Sequence, residues 1–226
     1  MNSINYAIVR RLILKDWYLN RWFILAAIPL GLGALALNLT GSRIATLFSI
    51  IIVCIVLIGV GAQLAMITTV NERKEQTLPF VMSLPLSYRE YTAAKILANL
   101  ILFLVPWLIL TAGTLGVLSL PGAGHGLIPY TAIMAMEILI TNCLIIVAGV
   151  ITESMAWASV AITCCSLGLN GLGYAFAHLR GISTYMWGQQ AHWTPTAWTV
   201  LVAEALTVAL LMWLTFFIQS RKTDFL

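Results

Sequence analysis

Charge is what this chain has least of. Only 9% of its 226 residues are Asp, Glu, Lys or Arg, against about 25% in an ordinary soluble domain. A chain so poor in charge cannot cover itself with a water-compatible surface, and a soluble globular fold is excluded. Histidine is nearly as scarce. His125, His178 and His192 are the only three, all outside the long apolar runs, and no Cys or carboxylate flanks them at metal-ligand spacing. That argues against a zinc site and against a hydrolase with a buried Ser–His pair. The four cysteines, Cys54, Cys143, Cys164 and Cys165, all fall inside apolar runs and form no C-x-x-C pair. They read as small buried hydrophobes. No G-x-x-x-x-G-K-[ST] phosphate loop occurs, so the chain carries no ATP-binding motif and no cofactor of its own. The formal net charge is +4, but the basic residues form no nucleic-acid patch. No internal repeat or separate polar domain interrupts the chain, which reads as one domain, 1–226.

What is there is hydrophobic length. A membrane span needs about 20 mostly apolar residues, and six stretches qualify: 22–39, 44–70, 96–118, 130–151, 155–176 and 198–218. The fold class expected is therefore an all-α integral membrane protein with six transmembrane helices. The first stretch is not a cleavable signal: no small-residue cleavage site with a polar mature start follows it. An even number of spans places both termini on one side. That side holds Arg10, Arg11, Lys15, Arg21, Arg73, Lys74, Arg89, Lys95, Arg221 and Lys222, whereas the other holds Arg43 and Arg180. The excess of Lys and Arg marks the cytoplasmic face, so both termini and the segment 71–95 are expected inside. Trp17, Tyr18 and Trp22 fall at the inner interface, Trp193 and Trp198 at the outer one, as aromatic belts do.

Residues 1–21 are too polar to span and too apolar to float. Ile4, Ile8, Leu12 and Leu19 fall near one helical face, although Arg11 and Lys15 intrude on it. The segment reads as a basic, aromatic helix lying at the interface. On the outer side, 177–197 is aromatic and nearly uncharged, and is expected to re-enter the membrane in part or to pack over the span ends.

The segment 71–95 is the most unusual. It gathers Glu72, Arg73, Lys74, Glu75, Arg89, Glu90 and Lys95, seven of the 20 charges in the chain, around an apolar cluster of Leu78, Phe80, Val81, Met82, Leu84 and Leu86. Ser87-Tyr-Arg-Glu90 fits the capping box S-x-x-E, and Pro85 upstream cannot continue a helix. A helix should start near Ser87 and run into the third span. Before it, Thr77 caps a short helix to about Ser83. Leu78, Val81 and Met82 fall on one face of that helix, at i, i+3 and i+4. A short helix with one apolar face, held between two rigid spans, is laid out to transmit force. The plain alternative is a face lying flat on lipid headgroups.

Asn71-Glu-Arg-Lys-Glu-Gln-Thr77, Ser83-Leu-Pro-Leu-Ser87, Arg89-Glu-Tyr91 and Lys95 together resemble the cytoplasmic signature of bacterial ABC exporter permeases. The branch resembled has six spans and separate ATPase chains. In layout the resemblance extends over the whole chain; in motif it covers about 71–95. It implies that two permease subunits pair, as a homodimer or with a related chain, and that two ATPase subunits bind ATP and Mg below them. It implies that the small helix seats in a groove of the ATPase. Glu72, Arg73, Glu75, Thr77, Leu78, Val81, Met82, Ser87 and Arg89 would then form the coupling surface, and 177–197 the outer gate region. It also implies a bacterial inner membrane.

Glu137 and Glu204 lie inside predicted spans, each roughly 9–10 Å from the outer end at about 1.5 Å per residue. A carboxylate at the centre of a span costs about 2.5–3.5 kcal/mol on insertion scales. Each is expected to face the protein interior, either lining a polar pathway or gate, or packed beside Asn142, Gln63 or Thr141. Gly168, Gly171 and Gly173 in the fifth span are read as sites of close helix packing. The main reading is thus the membrane subunit of an ATP-driven exporter. Its rivals are an integral-membrane scaffold or assembly factor without transport, and a secondary transporter.

Overall fold

The computed structural model describes residues 6–40, 42–67, 88–120, 124–152 and 154–220. Among them every regular element is helical. Helix α1 is Tyr6–Leu35, closed by a 3-10 turn at Ala36–Thr40. Then come α2, Arg43–Ala65; α3, Tyr88–Leu118; a 3-10 turn at His125–Leu127; α4, Ile128–Thr152; α5, Met155–His178; the short α6, Arg180–Ser183; and α7, Pro195–Ser220. Six of these helical stretches are long and apolar enough to cross a membrane: Val9–Asn38, Arg43–Ala65, Ala93–Leu118, His125–Thr152, Met155–His178 and Pro195–Thr215. The chain is an all-α, multi-pass membrane protein.

The amphipathic start is not a separate element among these residues. Helix α1 runs unbroken from Tyr6 through the first span. Thirty residues at about 1.5 Å each give a rod of about 45 Å, longer than the roughly 30 Å hydrocarbon core. Its basic first turns therefore extend past the apolar layer in the same helix. Arg21 lies over the Tyr18 ring at 4.0 Å and near Trp22 at 5.3 Å, which gives that end the amphipathic character read from the sequence. Among the described residues α3 runs from Tyr88 straight into the third span. The coupling helix expected over Thr77–Ser83 lies outside the described residues.

The helices are not equivalent. Helix α4 is the core of the bundle and packs against α2, α3, α5 and α7. Its span is 78% buried, whereas the α5 and α7 spans are each 11% buried. A span sunk among helices needs few lipid-facing positions, and α4 accordingly buries Thr131, Glu137, Thr141 and Asn142. Side chains bind its neighbours to it: the Trp107 Nε1–H of α3 donates to the Ala135 carbonyl at 2.8 Å, and the Tyr130 hydroxyl of α4 donates to the Gly173 carbonyl of α5 at 3.2 Å. Helix α1 packs chiefly on α3. A methyl at Gly31 would stand 2.6 Å from a Leu110 methyl, so glycine there permits the close approach. The expectation of close packing in α5 holds at Gly173, against Met134 and Tyr130, while Gly168 and Gly171 face open space.

The segment after α5 folds over one end of the bundle. Its Gly188 carbonyl accepts the Gly126 N–H at 3.1 Å, and Trp187 stacks under Arg43 at the start of α2, 5.6 Å from the ring centre. Thr194 Oγ1 donates to the Gly181 carbonyl at 2.9 Å. Packing over the span ends is therefore the form this aromatic segment takes.

Candidate functional site

Glu137 and Glu204 come together. Glu137 sits on α4, Glu204 on α7, and the two helices pack closely. The side chains are 6% and 5% exposed, and their carboxyl groups lie within hydrogen-bonding reach of each other. Among the described residues neither Glu204 oxygen meets a donor. No Lys, Arg or His lies in α4 or α7. The pair is buried at the α4–α7 seam beside Cys165 of α5. Of the neighbours expected for the carboxyls, Thr141 is buried on α4 one turn from Glu137, whereas Gln63 and Asn142 are elsewhere. Gln63 is exposed on α2. Asn142 points to α2, where a methyl at Gly61 would stand 2.6 Å from its Oδ1. Both polar side-chain atoms of Asn142 are buried with no hydrogen-bond partner among the described residues.

A small cavity of about 20 Å³ lies between α2, α3 and α4, lined by Cys54, Leu57, Thr111, Thr131, Met134 and Ile138 among others. It has room for one water. The Thr111 and Thr131 hydroxyls at its wall are buried with no hydrogen-bond partner among the described residues. Glu137 and Glu204 do not line it.

At the other end of the bundle is a polar cluster that sequence reasoning missed. Lys95 Nζ of α3 donates to Asp16 Oδ2 of α1 at 3.1 Å and to Oδ1 at 3.4 Å. Both side chains are 4% exposed. Asn20 Nδ2 donates to the Asp16 carbonyl at 2.9 Å, and Asn20 and Asn99 are buried beside this pair in sequence. Lys15 reaches Asp16 from the surface at 3.8 Å. The bridge spans 79 positions of sequence, so no local pattern announces it. The available signal is a lone acid among the basic residues of the first 21, matched to a lone lysine where the third span begins.

Of the residues assigned to ATPase coupling, Glu72, Arg73, Glu75, Thr77, Leu78, Val81, Met82 and Ser87 lie outside the described residues. Arg89 falls in the first turn of α3. Among the described residues no three His, Cys, Asp or Glu side chains gather as a metal site would require. In comparisons with known proteins, no family model, no curated protein and no solved structure matches the chain.

Proposed function

We propose that this chain is the membrane-spanning subunit of an ATP-driven exporter, paired with a second permease subunit and driven by separate ATPase chains through the segment 71–95. The observation that carries the reading is the charged signature of 71–95 set between two of six spans. The buried Asp16–Lys95 bridge supports it, because it ties α1 to α3 seven residues after the start of that helix. A push on the segment before α3 would then move two spans as one body. Pairing is supported by α5, whose exposed side carries Ser159, Thr163 and Asn170. Small and polar residues of that kind belong at helix–helix interfaces in membranes more than against lipid. Affinity purification from the native membrane tests the reading. The expected result is a stoichiometric ATPase chain bearing a phosphate loop; a purified chain with no ATPase partner would remove the proposal.

A secondary transporter is the second reading, and one observation favours it. Ionisable groups buried within spans mark ion or proton paths in such proteins, and Glu137 and Glu204 are such groups. Transport that persists without ATP and follows an imposed ion gradient would select it.

A further inference from the structure

We propose that Glu137 and Glu204 together bind one proton inside the membrane, and that this proton fastens α7 to the central helix α4. The inference does not depend on the ATPase reading. Two ionised carboxylates have four acceptor positions and no donor. Glu204 presents both oxygens to a buried seam in which no described residue donates to them, and its carboxyl meets that of Glu137. Two like charges at this distance and burial repel strongly, since the interaction grows as the effective dielectric falls. One proton placed between them removes the repulsion and supplies the missing donor. The bond it makes is a carboxyl O–H donating to a carboxylate, a short and strong class of hydrogen bond.

The surroundings leave the proton as the ligand of choice. Among the described residues, Cys165 of α5 is a further titratable side chain near Glu137. Helices α2 and α3 carry their charged residues only near their ends. Arg43 is held at Trp187, Lys95 is held at Asp16, and Arg89 and Glu90 sit in the first turn of α3. Cys54 and Tyr130 lie together towards the outer end. Among the described residues no cation reaches the pair, and both carboxyls, 6% and 5% exposed, are too enclosed to admit an organic cargo. The bond joins the most buried span to one of the two least buried. Helix α7 also packs on the bundle through Ala197, Val200, Leu201 and Met212, so the proton adds to an apolar contact, and its loss should loosen the α4–α7 seam and lower the melting temperature.

Infrared spectroscopy and thermal unfolding of the purified full chain, over a range of pH and at fixed salt, test this. The wild type should show the carbonyl stretch of a protonated carboxyl at neutral pH, absent in the E137Q/E204Q variant. Raising the pH until that band is lost should lower the melting temperature of the wild type. The double Gln variant, which keeps shape and a hydrogen bond without charge, should show no such drop. In E137Q and in E204Q the remaining carboxyl should lose its proton at a different pH from the wild-type pair. The absence of the band from wild type at neutral pH, or the same titration midpoint in wild type and both single variants, overturns the shared site. Stabilisation by sodium at constant pH, lost in the double variant, overturns the proton in favour of a metal cation.

Discussion

Removing one partner of the Asp16–Lys95 bridge should be among the most damaging single changes outside the helix cores. The bond is bifurcated, 3.1 and 3.4 Å from one ammonium to both carboxylate oxygens, and each side chain is 4% exposed. Water cannot take over the work of the lost partner. Breaking a buried pair of this kind costs about 3–5 kcal/mol, because a charge remains behind with its solvation removed. An exposed pair would cost about 0–1 kcal/mol, so the two cases are well separated. Asp16→Ala and Lys95→Ala should each destabilise by about 3–5 kcal/mol in detergent unfolding followed by circular dichroism. Removing both charges at once should behave differently. Asp16→Leu with Lys95→Met removes both charges of the bridge together, and such replacements are often neutral or stabilising. The double variant should therefore be more stable than either alanine variant. Its transport activity is the more telling readout, since the bridge is argued to make α1 and α3 move together. Alanine variants that lose about 1 kcal/mol or less, the range of an exposed pair, would show that water reaches the bridge and that it does not join the two helices.

Two further outcomes follow from the packing and the charge pattern. Gly31→Ala would bring a methyl to 2.6 Å from a Leu110 methyl that has no exposure, an overpacking that costs about 1–3 kcal/mol. Leu110→Ala in the same chain should recover part of the loss, and a strictly additive pair of changes in thermal unfolding would refute the contact. For topology, a single cysteine at position 80 in a Cys-free background should label only from the cytoplasmic side, and one at 187 only from outside. The reverse pattern would overturn the orientation drawn from the basic residues.

The six spans were legible because apolar length is a local property, and each predicted stretch overlaps a long apolar helix. The order of burial was not. Hydropathy cannot tell a span facing lipid from one facing protein, since both are apolar. Helix α5 has the lowest mean hydropathy of the six spans, 1.4, and yet is only 11% buried, while α4 at 2.2 is 78% buried. The start of α1 was read as a separate interfacial helix because Arg10, Arg11, Lys15 and Asp16 depress hydropathy there, but charge does not break a helix, and the backbone continues through it. Glu137 and Glu204 each stood out alone as a costly buried acid. Their meeting depended on α4 lying beside α7, which no spacing reveals, although their matching depth in the two predicted spans was a usable hint. Asp16 and Lys95 gave less warning, because each looked like an ordinary charge at an interface. The coupling segment was read from its capping box and apolar face, and those features lie outside the described residues.

The central claim is that ATP hydrolysis in a partner chain is coupled to these spans through Val81 and Met82. Its most direct test replaces both with Asp, in the full chain expressed in its native membrane, and measures ATP-driven transport together with ATPase binding. The account predicts a folded membrane protein at normal abundance whose transport is lost and whose ATPase is released or runs uncoupled. A variant that still holds its ATPase and still transports at the normal rate would contradict it.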